Sequence, residues 1–197
     1  MSYAELARAV RAHLDQDHRY HHCVRVARSA DILAQIHGVA PHKARLASML
    51  HDLARLYSNE RLMNECERRE LPIDDFERRN PIVLHAPLGA ALAREKFGVE
   101  DPEVLSAIAK HTLGAEAMSS LDCVVYLADA LEPGRDFANR EKIWELARVD
   151  LRTAMSAAIA DSFVYLASLG REPAPQTLAM ARVFDSSISQ GVSPSLN

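Results

Sequence analysis

An all-α fold is what this sequence predicts, and three observations carry the prediction. The 197 residues are rich in Ala, Leu, Arg and Glu yet hold only 7 Gly and 6% aromatic residues, a composition that favours helices over strands. Apolar positions recur at three-and-four spacing, as in Cys23, Val26, Ala27, Ala30 and Leu33. Helix punctuation recurs as well: a Ser or Asp before a run, Pro in its first turn, Gly just past its end.

The first helix is expected from Ser2 to Leu14, with Ser2 as its cap. A second runs from Arg19 to His37 and stops at Gly38, where a left-handed cap costs glycine little. Pro41 opens a third, carried through Ala44, Ala47, Leu50 and Ala54. Asn59 to Glu70 reads as a charged and largely exposed helix, broken by Leu71-Pro72, and Asn80-Pro81 marks a further irregular stretch. Pro87 opens a helix ending near Gly98, and Asp101-Pro102 caps the next, which ends near His111 ahead of Gly114. Ser119 to Glu132 is strongly apolar and is stopped by Pro133-Gly134. Asn139 to Gly170 is helical with a break near Asp150, Gln176 to Ser187 forms the last helix, and the tail 190–197 is expected to fray. Neither a repeat nor a low-complexity linker interrupts this order, and the short connections suit one helical bundle.

Composition narrows the function classes. Hydrophobic residues make up 48% and charged residues 25%, enough for a core and near the average of folded domains. A net charge of −4 argues against binding nucleic acid or membrane over the whole surface, while leaving room for one basic pocket. Basic pairs such as Arg68-Arg69 and Arg78-Arg79 read as a solvated face. Cys23, Cys66 and Cys123 form no C-x-x-C pair and are odd in number, which suits a reducing cytosol better than a disulfide framework. No apolar run approaches the roughly 18–20 residues of a membrane helix. A cytoplasmic location is therefore expected.

The chemistry shows itself as polar residues among apolar neighbours. His51 follows Ala47 by four and precedes Ala54 by three, on the inner face of its expected helix, and Asp52 lies about 100° further round. Imidazole and carboxylate together suit borderline or hard divalent cations. The plain alternative is a hydrogen-bonded core histidine beside a solvated carboxylate. His22 borders the apolar face of its own helix, four residues before Val26, whereas His18 and His21 read as surface residues. Asp129 sits inside Val124-Val125-Tyr126-Leu127-Ala128-Asp129-Ala130-Leu131, where a buried carboxylate must be paired, protonated or metal-bound. A salt bridge to an arginine would also satisfy it. His85 and His111 stand at helix termini, where ligands are often presented. Trp144, Phe163 and Tyr165 suit the core, or a stack on a base.

The order His22, His51-Asp52, Asp129 resembles the HD-domain superfamily of metal-dependent phosphohydrolases. The segments HRYHHCVRVARSADILA, ASMLHDLAR, NPIVLHAPLGA, AIAKHTLG and VVYLADALEPGRDF resemble, in order, those of the YqeK-type HD proteins, and the likeness spans Arg19 to Phe137. That resemblance implies a single HD-domain helical bundle, with an HD core at about 16–137 and C-terminal helices at about 139–190 packing on it. It implies metal ligation by His22, His51, Asp52 and Asp129, with iron as the metal, and a second metal at His85 and His111. Arg19, Arg135, His85 and His111 would meet the substrate, and Asp52, His85 and His111 would carry the catalysis. The implied reaction is symmetrical cleavage of diadenosine tetraphosphate to two ADP, and the implied partners are that dinucleotide and a second copy in a homodimer, with neither nucleic acid nor membrane. An HD phosphohydrolase for another nucleotide and a non-catalytic HD-like signalling module remain the alternatives. One departure stands out: Arg55 occupies the place of a lysine in the family's run, a planar fork in place of a point charge.

Overall fold

The computed structural model describes residues 2–185, and among them the chain forms helices joined by short turns, with no strand. In chain order these are α1 (Tyr3–Leu14), α2 (Asp17–Ile36), α3 (Pro41–Leu50), α4 (Asn59–Arg68) and α5 (Asp75–Arg79). A 3₁₀ turn at Pro81–Leu84 leads straight into α6 (His85–Phe97). Then come α7 (Pro102–Lys110), α8 (Ser120–Leu131), α9 (Arg140–Ala147), α10 (Leu151–Ser168) and α11 (Pro175–Phe184). The all-α expectation holds. Ser2 caps α1 through a capping box with Glu5, and Gly38 takes a positive φ of 65° just past α2. Ser187 and the expected frayed tail lie outside the described residues.

The centre of the molecule is α2 laid along α3 and α8, with α7 closing the other side of α3 and α8. Alanines make that closeness feasible: Ala27, Ala30 and Ala34 on α2, and Ala44 and Ala47 on α3, are buried to 1% exposure or less. Around them Leu33, Met49, Leu50, Leu88, Ile108, Leu127 and Leu131 are fully enclosed. Deleting part of such a side chain removes its transfer energy and leaves a void as well. α10 then packs on α8, α9 and α11, so the C-terminal helices rest on the back of the central group.

Local expectations are corrected at several places. α3 stops at Leu50 instead of continuing through Ala54: residues 51–57 turn by three-residue steps, with Leu53 N–H donating to Leu50 O, Arg55 to Asp52 O and Tyr57 to Ala54 O. α4 is largely exposed as expected, with Leu62 and Cys66 as its buried positions. The stretch before Asn80 contains α5, held by a capping box in which Glu77 N–H donates to Asp74 Oδ1 at 2.7 Å and Asp74 N–H to Glu77 Oε2 at 2.8 Å. α6 begins at His85, two residues before Pro87. Arg69 also departs from the solvated reading: its guanidinium donates to Glu95 at 2.8 and 2.7 Å and also bonds Glu65, tying α4 to α6. Trp144 and Phe163 pack against the core as expected, whereas Tyr165 is 62% exposed.

Gly89 on α6 is where the scaffold meets the turn after α3. A Cβ there would stand 3.0 Å from the backbone oxygen of His51, so the turn would have to give by a few tenths of an ångström. Overpacking of this kind costs about 1–3 kcal/mol. Gly89→Ala is therefore expected to lower the Tm by several degrees in a thermal melt, and an unchanged Tm would show that the turn yields freely.

Candidate metal centre

Five elements converge on one buried cluster. α2 brings Arg19, His22 and Arg25, each three residues from the next and so on one face. The turn after α3 brings His51 and Asp52, α6 its first residue His85, the end of α7 His111, and α8 Asp129. His22, His51, Asp52, His85 and His111 are all buried, at 6% exposure or less, and Asp129 is partly covered.

Two nests of donor atoms share Asp52. On one side His22 Nε2 lies 3.0 Å from Asp129 Oδ1, 3.3 Å from His51 Nε2 and 3.5 Å from Asp52 Oδ2, and His51 Nε2 lies 3.3 Å from that same Oδ2. On the other, Asp52 Oδ1 is 3.5 Å from His85 Nε2 and 3.8 Å from His111 Nε2, and those two nitrogens are 3.1 Å apart. All six residues expected from the sequence to hold metal are thus brought together, and the two carboxylate oxygens of Asp52 face different histidine pairs.

The tautomers are set from behind. His51 Nδ1–H donates to Ser48 O at 2.6 Å, His85 Nδ1–H to Ile82 O at 2.5 Å and His111 Nδ1–H to Ile108 O at 2.7 Å, each to a carbonyl three residues earlier. His22 Nδ1–H donates to Glu132 Oε1 at 3.1 Å. With Nδ1 committed outward, each ring turns its Nε2 inward, where a neutral ring offers a lone pair. Ring nitrogens facing each other at 3.1 and 3.3 Å, beside two carboxylates, call for positive charge among them, whether a proton on His51 or a bound cation. These residues fit a cation. The turn makes this possible: with α3 ended at Leu50, His51 and Asp52 both face the cluster instead of diverging round a continuing helix.

The titration of the cluster tells the same story. Burial pulls the His51 imidazolium down, but the Asp52 charge and hydrogen bond, with Asp129 behind, hold its pKa up at about 9. Burial raises the Asp129 carboxyl, and the His22 hydrogen bond, His51 and Arg135 more than reverse it, leaving it well below the usual range. Asp52 is likewise held low against burial by His51, His111 and His85. His111 is pushed down to about 3, by burial first and then by the charges of His51 and His85, and burial lowers His85 too. Cys23 Sγ lies within 4.8 Å of donor atoms of His51 and Asp52, but burial and then Asp52 raise its thiol well above the ordinary value. The donor set is therefore imidazole and carboxylate.

Sequence reasoning missed two residues here. Glu132 is 2% exposed; besides His22 it receives Arg25 Nε at 2.5 Å and Gly134 N–H at 2.6 Å, so it fastens the turn after α8 to α2. These contacts, led against burial by the Arg25 bond, hold its pKa at about 2. Its signal was position: an acid three residues, one helical turn, beyond Asp129. Thr112 sets its Oγ1 3.1 Å from His85 Nε2 and 3.0 Å from His111 Nε2.

Above the cluster opens a cleft of about 300 Å³, whose walls include Arg19, Arg55 and Arg135. Arg19 Nη1 donates to Asp52 Oδ2 at 2.8 Å and Arg135 Nη2 to Asp129 Oδ1 at 2.8 Å, so the salt-bridge alternative for Asp129 is realised alongside the histidine contacts. Arg19 Nε is buried without a partner, and Arg55 makes no side-chain hydrogen bond or ion pair among the described residues. The cleft thus joins a cation-binding floor to a cationic rim, a surface suited to a polyanion.

Comparison with known proteins agrees with this geometry. The HD-domain family matches residues 19–134. A symmetrical bis(5'-nucleosyl)-tetraphosphatase of Halalkalibacterium halodurans is 35% identical over 179 residues, 91% of this chain and 95% of that protein. The protein of the same name from Bacillus subtilis is 35% identical over 161 residues, 82% of this chain and 86% of the relative. A crystal structure from Clostridium acetobutylicum, described as an HD superfamily hydrolase involved in NAD metabolism, superposes with a TM-score of 0.89 at 29% identity and covers 96% of this chain and 98% of that one. The HD-domain match across residues 19–134, with relatives 35% identical along most of the chain, makes this protein a member of the HD-domain family, on the branch of the symmetrical bis(5'-nucleosyl)-tetraphosphatases.

Proposed function

We propose that this chain is a metal-dependent phosphohydrolase that cleaves diadenosine tetraphosphate symmetrically into two ADP. The observation that carries the reading is Asp52, one carboxylate facing two histidine pairs beneath an arginine-rimmed cleft. His22, His51, Asp52 and Asp129 hold the first metal in this proposal, which we take to be iron, a metal their imidazole and carboxylate donors accommodate. His85 and His111, with Asp52, would hold a second. Three buried free cysteines suit the reducing cytoplasm in which we place the enzyme.

When bound, the metal withdraws charge from a phosphoryl oxygen and lowers the pKa of water, which makes attack on a polyanion feasible. The chain's own groups do the rest. Arg19 and Arg135 clamp phosphate oxygens on the rim, Arg19 offering the Nε–H that has no partner among the described residues. Arg55 adds a further guanidinium where the family's lysine would stand. Asp52, held ionised by its histidines, orients the attacking water, whose proton passes to bulk solvent. His85 and His111 direct Nδ1–H away from the cleft and have lowered pKa values, so they serve better as acceptors toward a cation than as proton donors. Attack at one inner phosphorus breaks the central bridge: one ADP leaves on its oxygen and the other retains the oxygen delivered by water. Glu132 is a positioning residue, fixing the His22 tautomer while its bond to Gly134 shapes the turn that carries Arg135.

Three outcomes follow. Asp52→Asn and His51→Ala should lose both metal content and turnover while helical circular dichroism stays near wild type; wild-type turnover in either would refute the ligand roles. Arg135→Ala should raise KM or lower kcat by about tenfold or more with full metal content by elemental analysis, the scale of a lost charge-assisted hydrogen bond. Glu132→Gln should weaken metal retention about 10- to 100-fold in a chelator competition, as expected when a histidine ligand loses its carboxylate partner. Product analysis separates the alternatives, since ATP and AMP would mean asymmetric cleavage and an inert, metal-free protein would mean a signalling module.

A further inference from the structure

A second cleft, of about 730 Å³, opens beside the metal centre, and Ile82, Val83, Thr112 and Tyr126 line both. The two clefts therefore adjoin as neighbouring arms, and Thr112, which touches His85 and His111, stands on their shared border. One wall of the larger arm is the segment from α5 through the 3₁₀ turn, and the other is the end of α10 with the loop into α11. Gln176 Nε2 donates to Asp74 Oδ2 at 2.6 Å, so the walls are tied together across 102 residues of sequence.

The lining differs in kind from that of the metal arm. Phe76 and the exposed Tyr165 supply flat aromatic faces, and Arg79 and Arg171 supply guanidinium groups that bond to no side chain among the described residues. Asn59 and Asn80 bring amides. Aromatic faces, free guanidinium groups and amides in a space of this size suit a heteroaromatic base on a ribose phosphate. An apolar helix would leave the arginines without anionic partners, and a free oligophosphate would leave the aromatic faces wet.

We propose that this arm seats one nucleoside end of the substrate, with the base stacked on Tyr165 and the α-phosphate side met by Arg79 and Arg171. The central bridge of the tetraphosphate then lies over Asp52, and the second nucleoside leaves by the Arg19–Arg135 side. The assignment rests on the reading of the substrate as a dinucleoside tetraphosphate, and it makes Tyr165 a specificity residue for half of that molecule.

The test is equilibrium binding to metal-loaded protein by calorimetry, with ADP and inorganic pyrophosphate as probes, for wild type, Tyr165→Ala and Tyr165→Phe. Tyr165→Ala should weaken ADP about tenfold, the scale of one lost base–aromatic stack, and leave pyrophosphate unchanged. Tyr165→Phe should keep wild-type ADP affinity. Unchanged ADP affinity in Tyr165→Ala, or equal losses for both probes, would overturn the assignment. So would an unchanged ADP affinity accompanied by a shift of sedimentation from dimer to monomer, which would make the arm a face between two copies. Selective loss of ADP binding in a protein that fails to hydrolyse diadenosine tetraphosphate would uphold the arm and sink the proposed reaction.

Discussion

The architecture depends on keeping one carboxylate ionised in a place where water hardly reaches it. Asp52 is 3% exposed, and an isolated charge at such depth is costly enough that the group would ordinarily take up a proton. Four imidazoles and Arg19 surround it instead, and each ring is locked by an outward Nδ1–H bond. The consequence is a cluster of carboxylate oxygens and inward ring nitrogens that favours positive charge at its centre, so cation binding adds to its stability.

Helix packing supplies the precision that this requires. The alanine faces of α2 and α3 bring two backbones close together, and His22 and His51 meet because their helices do. Gly89 lets α6 approach the His51 carbonyl, and His13 on α1 bonds Leu53 O at 2.9 Å from the other side. The turn after α3 is thus gripped on two sides, and most of its main-chain and side-chain acceptors are assigned. Rigid support of this kind keeps ligand atoms within the narrow tolerance that metal chemistry demands.

Charge around the centre is arranged in pairs that a substrate can exchange. Arg19 rests on Asp52 and Arg135 on Asp129, while Arg55 stands free, so the rim remains cationic although the whole chain carries −4. Surface charges beyond about 8–10 Å are screened at physiological salt, so the local rim governs the field in the cleft. Glu132 joins the two levels, touching His22 below and shaping the Arg135 turn above.

Much was legible in the sequence because the signals were local. Capping residues, prolines and glycines set the bounds of α1, α2, α7 and α8 closely, and Asp129 announced itself as an acid within an apolar run. Reading failed where a side chain overrode the backbone pattern. The apolar spacing through Ala54 continues past Leu50, yet the chain leaves the helix there, a competition between ring and ladder that periodicity does not register. Thr112 was silent because its role is a contact made across 27 residues, and Glu132, marked only by its place one turn past Asp129, acts across 110. The sequence by itself determined an all-helical chain and the order of its metal-binding residues, since both follow from spacing and residue type. The tertiary structure alone decided that Asp52 faces two histidine pairs and that a second arm opens beside them, because distances between helices depend on packing that no single segment encodes.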